Sequence, residues 1–211
     1  MSKECEILHK IACSMERHHF PFDESAIPQD GIYVLFQKSE SGHGAERIVR
    51  VGTHTGKNQL PSRLKQHFLN ENKDRSIFRK NIGRAILRKM KDPFLEQWEI
   101  DLTTREARDK HSHKIDLDRQ RKIESRVSQY IQQNFSFSVF EVKEKYERLE
   151  IESKLISTVS LCNDCKPSAE WLGTYSPKDK IRESGLWLVN ELYKTPFTLQ
   201  DLKQLEKQIK G

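Results

Sequence analysis

Two short runs, GIYVLF at residues 31–36 and RIVRV at residues 47–51, decide the fold of this 211-residue chain. Both are rich in β-branched and aromatic residues, a polar stretch separates them, and Gly52 ends the second run. These features predict two neighbouring antiparallel strands. Because side chains alternate along a strand, Tyr33 is expected on the sheet face opposite Ile32.

The rest of the chain is predominantly helical in pattern, with one further strand. The alternation in FSFSVFEV predicts a strand over residues 135–142. Residues 92–134 have the character of an insertion with a helical apolar edge near its end. Apolar residues at helical spacing predict helices at about residues 5–17, from Ser62 as N-cap to Phe68, 76–90, 144–159, 179–193 and 198–209.

The composition is that of a water-soluble globular protein, with 35% hydrophobic and 32% charged residues. No apolar run approaches the roughly 18 residues of a membrane span. The N-terminal segment lacks the uninterrupted apolar core of a secretion signal. We therefore expect a cytoplasmic protein that does not associate with a membrane.

The four cysteines do not have the pattern of a disulfide framework. Cys162 and Cys165 form a C-x2-C pair, but no second pair at zinc-site spacing follows it. Cys5 and Cys13 lie roughly 150 positions upstream. We expect reduced thiols and a tight turn after a helix rather than a structural zinc site.

Positive charge is concentrated in one segment. The net charge is +6, yet residues 57–91 carry eleven basic and two acidic residues, a net +9, and the remaining sequence sums to −3. A field of this kind suits a polyanion such as nucleic acid. A solvated helix face is the alternative interpretation.

Glu152 is unusual on physical grounds alone. It has Leu149 three positions before it and Leu155 and Ile156 three and four positions after it, so it falls within an apolar helical stripe. A carboxylate there must pair with a cation, accept several hydrogen bonds, bind a metal, become protonated or reach water at the edge of the stripe.

Several short motifs occur in a fixed order. They are GIY at 31–33, VG at 51–52, Arg63 followed by His67, ESKLI at 152–156 and PSAEWLG at 167–173. This ordered set resembles the GIY-YIG nuclease superfamily over residues 30–175. The terminal additions and the insertion resemble those of free-standing bacterial nucleases of restriction or mobile-element type.

The resemblance implies an α+β fold with a small three-stranded antiparallel sheet flanked by helices. The domain prediction is an N-terminal helix and connector at 1–29, a nuclease domain at 30–175 and a C-terminal helical extension at 176–211. Residues 92–134 would be a helical insertion in the nuclease domain.

The resemblance also implies a catalytic set. Tyr33 would orient or deprotonate the attacking water, Arg63 would stabilise charge on the phosphate, and His67 stands where members carry Tyr or His. Glu152 would be the carboxylate that binds Mg²⁺ or Mn²⁺. Arg50 departs from the family, since most members have Tyr there. Because arginine keeps its proton, Arg50 would bind phosphate instead.

Further basic residues are predicted to contact the nucleic-acid backbone. His54 is also a candidate helper in water activation. The set is His54, Lys57, Lys65, Arg79, Lys80 and Arg84.

The predicted function is a metal-dependent endonuclease, an Mg²⁺ or Mn²⁺ enzyme that hydrolyses phosphodiester bonds in DNA. Two alternatives stay open: a degenerate module that binds nucleic acid without cutting it, and a nuclease that acts on RNA. A single site cuts one strand, so double-strand cleavage would need a homodimer or two visits. The oligomeric state stays open.

Overall fold

A mixed sheet-and-helix architecture is present in the computed structural model, which describes residues 2–210. Met1 and Gly211, the outer ends of the predicted segments 1–29 and 176–211, lie outside the described residues. Within the described part of the chain, the strands are β1 (His18–His19), β2 (Gly31–Gly42), β3 (Ala45–Gly52) and β4 (Phe135–Glu141). They form one antiparallel sheet in the order β1-β4-β2-β3.

This architecture confirms the predicted fold class, with a correction to the strand count. Four strands are present among residues 2–210 instead of the three expected. The extra strand, β1, has two residues and pairs through His18 with Phe137 of β4. A strand this short has no alternation that a sequence pattern could reveal.

Nine α-helices surround the sheet within residues 2–210. They are α1 (Lys3–Ser14), α2 (Leu60–Phe68), α3 (Ile77–Lys89), α4 (Leu95–Glu99), α5 (Arg105–His111), α6 (Leu117–Asn134), α7 (Lys145–Ser160), α8 (Asp179–Ser184) and α9 (Leu199–Lys210). The predicted insertion contains α4, α5 and α6. Among the described residues, no helix has both the length and the apolar character that crossing a membrane would require.

The sheet separates two apolar layers, as the alternation along β2 predicts. Tyr33 and Leu35 face a layer formed with α2, α3 and α6, in which Trp98, Trp171 and Trp187 are buried. The opposite face, with Ile32, Val34 and Phe36, is covered by α1, α7 and α9. The helices that carry the basic segment and Glu152 therefore lie on opposite sides of the sheet.

Two predicted helix boundaries are wrong. The helix expected at 179–193 ends at Ser184, because Gly185 adopts a left-handed conformation with φ of 70°. The chain then runs beside β3, where the Trp187 N–H donates to the Val49 carbonyl at 2.7 Å. Helix α2 begins at Leu60 with Gln59 as N-cap, so Ser62 is not its cap. Pro61 suits the first turn because that turn needs no N–H donor there.

Candidate active site

A cleft of about 460 Å³ opens beside the edge strand β3. Arg50 comes from β3, Arg63 from α2 and Glu152 from α7. Helix α3 and the segment that follows α8 close the remaining walls. The other residues that line it are Val51, Ile77, Asn81, Leu149, Ile156, Leu188, Val189, Asn190 and Glu191. The fold thus brings together three predicted catalytic residues that lie far apart in the sequence.

Glu152 is the acidic group that α7 contributes to the cleft. Oε1 accepts a hydrogen bond of 3.2 Å from the backbone N–H of Thr53, just after β3. Burial raises the pKa of this carboxyl, and the charge of Arg50 and the Thr53 N–H oppose that rise. The ionised form is therefore stabilised only in part by the protein, and a cation in the cleft would complete its environment.

Arg50 is buried at the base of the cleft. Its register partner in β2 is Leu35, so its side chain shares the sheet face of Tyr33. Nε donates to the Tyr33 hydroxyl at 3.3 Å, and Nη1 donates to the carbonyl of Trp187. The guanidinium also lies 5.3 Å from the centre of the Phe78 ring. These contacts hold a permanent positive charge in one orientation.

Tyr33 and His67 form a buried polar pair behind Arg50. The Tyr33 hydroxyl lies 2.8 Å from His67 Nε2, and His67 Nδ1 lies 2.8 Å from Ser76 Oγ. Burial, with the charges of nearby arginines, holds the pKa of His67 well below its usual value. A neutral His67 can donate one of these two hydrogen bonds and accept the other. Tyr33 itself is 0% exposed.

Gly52 is explained by this pair. It lies opposite Tyr33 in the β2–β3 ladder. A Cβ atom at Gly52 would lie 2.1 Å from the Tyr33 hydroxyl oxygen, a distance no real contact allows. The glycine of the VG motif therefore makes room for the phenol to reach His67 and Arg50.

Arg63 stands at the entrance of the cleft and is half-buried. Nη1 donates to Gln66 Oε1 at 3.0 Å and to the Arg75 carbonyl at 3.2 Å. These bonds use one of its nitrogens, and the side chain also lines a smaller neighbouring cleft with Ser62. Of the two arginines in the cleft, Arg63 is therefore the more accessible.

His54 does not have the role that the sequence suggested. It is buried, its Nε2 accepts from the Gly31 N–H at 3.2 Å, and its Nδ1 lies 2.7 Å from the Gly56 carbonyl. Burial lowers its pKa, which keeps the ring neutral. Because both ring nitrogens bind backbone groups, His54 shapes the loop after β3 and is not free to contact a phosphate or take a proton.

The three α3 residues in the predicted phosphate-contacting set, Arg79, Lys80 and Arg84, have buried side chains that donate to protein acceptors. Arg79 donates to Glu124 of α6 from Nε at 3.1 Å and from Nη2 at 2.8 Å. Arg84 donates from Nε to Glu99 at 2.6 Å. Lys80 donates to the Glu99 carbonyl at 3.1 Å. The insertion supplies these acceptors, so part of the positive segment is neutralised internally.

Lys57 and Lys65 keep some access to solvent. Lys57 is exposed on the loop between β3 and α2. Lys65 is half-buried and pairs with Glu24 at 2.9 Å, an exposed ion pair of little energetic weight. Of the six predicted backbone contacts, these two are the ones whose positions suit a polyanion.

Asn81 and Asn190 line the cleft and were missed by the sequence reasoning. Asn81 is 1% exposed, and its Nδ2 has no hydrogen-bond partner among the described residues. Its Oδ1 accepts from Arg84 at 2.7 Å, which fixes the amide. A polar residue on the otherwise buried face of α3 was the available signal. Asn190 had none, because it falls within the segment predicted as a helix at 179–193.

Comparison with known proteins gives one match. A family model described as a GIY-YIG domain matches residues 6–211. No curated protein matches the chain, and no solved structure does either.

Proposed function

The chain belongs to the GIY-YIG family, and from that premise we propose that it is a metal-dependent endonuclease that cleaves DNA in the cleft formed by Arg50, Arg63 and Glu152. Membership of this family implies a nuclease, an enzyme that hydrolyses phosphodiester bonds. The observation that carries the proposal is the convergence of these three side chains on one opening.

Glu152 is the proposed metal ligand. The donor set of the cleft suits a hard divalent ion, because Glu152 shares the lining with Asn190 and with Glu191, one of whose oxygens accepts from Lys194 at 2.7 Å. When bound, Mg²⁺ or Mn²⁺ would neutralise phosphate charge and assist the leaving oxygen. The raised pKa of Glu152 supports the assignment, since a nearby cation would stabilise its ionised form.

Arg50 and Arg63 are the proposed phosphate-binding groups. Negative charge builds up on the phosphate oxygens as the bond to water forms, and fixed guanidinium groups stabilise it. The orientation of Arg50 is fixed by its hydrogen bonds to the Tyr33 hydroxyl and the Trp187 carbonyl. Asn81 adds an amide donor, since its Nδ2 is buried at the cleft and has no partner among residues 2–210.

Tyr33 and His67 are proposed to position Arg50. The sequence suggested that Tyr33 deprotonates the attacking water, with His67 in support. Two observations favour the positioning role: the phenol is fully buried, and the low pKa of His67 makes this ring a poor proton acceptor. A substrate-contacting base would need access to the cleft.

DNA is the proposed substrate, and the basic residues that keep access to solvent would contact its phosphate backbone. Lys57 and the half-buried Lys65 retain this role from the sequence prediction. Such contacts give affinity that is independent of the DNA sequence and that falls as the salt concentration rises.

We also propose a cytoplasmic location for the protein.

A module that binds nucleic acid without cutting it is the second proposal. It is favoured by Arg50, which replaces the tyrosine of most family members and cannot act as a base. Such a module would keep the basic surface and lack turnover.

The test is cleavage of supercoiled plasmid, labelled single- and double-stranded DNA, and RNA, each with Mg²⁺, Mn²⁺ or EDTA. Wild type is compared with Glu152→Ala and Arg63→Ala, and the exposed α7 residue Glu150 supplies the matched control Glu150→Ala. We expect metal-dependent cleavage of DNA that both site variants lose and the control keeps. Salt-sensitive binding with no cleavage would support the second proposal, and cleavage of RNA alone would change the substrate class.

The cleavage products also show whether one or two copies of the protein act on the DNA together. Nicked circles that accumulate before linear DNA indicate single-strand cuts by separate visits. Linear DNA formed directly indicates two clefts acting together, as a homodimer would provide.

A further inference from the structure

A second cluster of reactive side chains lies outside the cleft. Cys5 comes from α1, His43 from the turn between β2 and β3, and Cys162 and Cys165 from the segment after α7. The Cys5 and Cys165 sulfurs are 3.5 Å apart, and His43 Nε2 lies 3.3 Å from the Cys162 sulfur. Three separate parts of the chain therefore meet at four ligand-type groups.

We propose that Cys5, His43, Cys162 and Cys165 bind one structural Zn²⁺ ion. Three thiolates and one imidazole form one of the usual ligand sets of structural zinc. The set is assembled from α1, the β2–β3 turn and the segment after α7, so the ion would link these three parts of the chain.

Two distances between ligand atoms, one sulfur–sulfur and one sulfur–nitrogen, agree with a tetrahedral zinc site. Zinc bonds of about 2.3 Å to sulfur and about 2.0 Å to nitrogen place two sulfurs about 3.8 Å apart and a sulfur and nitrogen about 3.5 Å apart. The distances of 3.5 Å for Cys5–Cys165 and 3.3 Å for His43–Cys162 are close to these values. The ligand atoms of Cys5, His9, His43 and Cys165 all lie within 4.8 Å of one another, and Cys162 joins this group through its contact with His43.

His9 also belongs to this cluster, with Nδ1 3.6 Å from the Cys5 sulfur and Nε2 3.8 Å from the Cys165 sulfur, but both ring nitrogens already bind backbone groups. Nδ1 lies 2.9 Å from the Cys5 carbonyl oxygen, and Nε2 accepts from the Ile48 N–H at 3.3 Å. Binding zinc through Nε2 would leave the buried Ile48 N–H without an acceptor, which costs free energy. We therefore assign His43 as the fourth ligand and His9 as the group that holds the Cys5 backbone in place.

The turn that carries His43 supports its assignment. His43 and Gly44 form a two-residue hairpin turn, and both have positive φ, 53° and 75°. Asn, Asp or Gly is most common at the first of these positions, and histidine also tolerates positive φ, so the turn presents the His43 ring to Cys162 without steric conflict. Gly42 gives the cluster room, since a Cβ there would lie 3.2 Å from the Cys165 sulfur.

This inference reverses the expectation from the sequence. The C-x2-C pair at Cys162 and Cys165 had no second pair at zinc-site spacing after it. The fold supplies the missing ligands from far upstream, because α1 and the β2–β3 turn pack against the end of α7. Zinc bound here would fix the C-terminal end of the helix that carries Glu152.

The first measurement is the metal content of untagged protein purified without chelators. We expect about one zinc ion per chain. Replacement by Co²⁺ should give intense visible d–d bands and thiolate-to-metal charge transfer of a tetrahedral site with three sulfurs. This spectrum uses the wild-type chain, so it tests the proposal even where a ligand variant does not fold.

Variants then identify the ligands. Cys5→Ser, Cys162→Ser, Cys165→Ser and His43→Ala should each lower the bound zinc at least about tenfold. Cys13→Ser is the matched control, because Cys13 is on the same helix as Cys5 and outside the cluster. It should keep the full zinc content, as should His9→Gln.

Three results would overturn the proposal. One is protein without zinc that also gives no thiolate–cobalt spectrum. A second is an intact mass lower by two hydrogens for a pair of these cysteines, which shows a disulfide. The third is loss of zinc in His9→Gln with retention in His43→Ala, which would replace the assigned fourth ligand.

Discussion

Glu124 and Glu152 are both carboxylates that lie near arginines, yet their surroundings differ in kind. Glu124 accepts from Arg79 Nε and Nη2 and from the backbone N–H of Lys73. Glu152 accepts one backbone N–H, from Thr53, and faces the cleft. Burial raises the pKa of both groups. The first carboxylate is enclosed by its partners, whereas the second has capacity left for a ligand.

The arginines differ in the same way. Arg79 has bonds to Glu124, to the His67 carbonyl and to Ser128, which leave it 0% exposed. Arg63 has bonds from one nitrogen and stands at the entrance of a cleft. Charge in a sequence therefore does not identify a binding residue. The number of protein partners that each charge has in the fold is the better guide.

His67 connects the two regions. Its backbone carbonyl accepts from Arg79 at 3.2 Å, while its ring binds the Tyr33 hydroxyl that also accepts from Arg50. A polar chain thus runs from the enclosed ion pair to the cleft. The comparison can be tested by breaking each part of this chain in turn.

The largest change in folding free energy is expected for Arg79→Met. Removing one partner of a buried ion pair leaves Glu124 uncompensated, so the free energy of unfolding should fall by about 3–5 kcal/mol. Urea unfolding measures it, with the exposed α6 residue Lys122 as the control Lys122→Ala. A loss below about 1 kcal/mol would show that the α3–α6 ion pair is not structural.

Arg63→Ala should lower the rate of cleavage strongly and the free energy of unfolding only slightly. Loss of one group that stabilises transition-state charge lowers kcat by about 10²–10³-fold, equivalent to about 3–4 kcal/mol. The unfolding free energy should change much less, because the side chain is half-buried. Single-turnover cleavage and urea unfolding of the same preparation provide the two values, beside Arg105→Ala on α5. An equal loss of kcat in Arg63→Ala and Arg105→Ala would contradict a catalytic role for Arg63.

Tyr33→Phe separates positioning from proton transfer. Without the hydroxyl, Arg50 Nε loses one hydrogen bond, worth about 1–1.5 kcal/mol. We expect about a tenfold lower kcat with an unchanged shape of the pH profile. If Tyr33 were the base, kcat would fall by about 10²–10⁴-fold and the profile would lose one limb.

The smallest effect is expected in the pH dependence of stability. Since the pKa of His67 is depressed in the folded state, the unfolded chain binds more protons as the pH falls below about 6.5. The free energy of unfolding therefore decreases as the pH is lowered below this value. Unfolding free energies at neutral and mildly acidic pH should show a smaller difference for His67→Gln than for wild type. Identical differences would contradict a neutral buried His67.

Local patterns in the sequence were sufficient for much of this account. Alternation in GIYVLF predicted the two sheet faces, and the helix predicted from Ser76 is α3, which begins at Ile77 with Ser76 as its N-cap. The position of Glu152 within an apolar stripe identified the carboxylate that α7 contributes to the cleft. These features depend on neighbours a few residues apart, which a sequence displays directly.

Contacts between distant segments were not visible. The burial of Arg79 depends on Glu124, 45 residues later in the chain. Cys5 and Cys165 are separated by 160 residues. Asn190 reaches the cleft because Gly185 ends α8 and turns the chain along β3. Each of these results depends on tertiary packing, which periodicity does not encode.

The most direct test of the central claim compares Glu152→Gln with Glu124→Gln in single-turnover DNA cleavage with Mg²⁺, normalised to the folded fraction. The two substitutions are chemically identical, so only the surroundings differ. We predict that Glu152→Gln loses cleavage by at least about 10³-fold and remains folded, while Glu124→Gln is less stable but cleaves when folded. Cleavage at the wild-type rate by Glu152→Gln would contradict the assignment of the cleft.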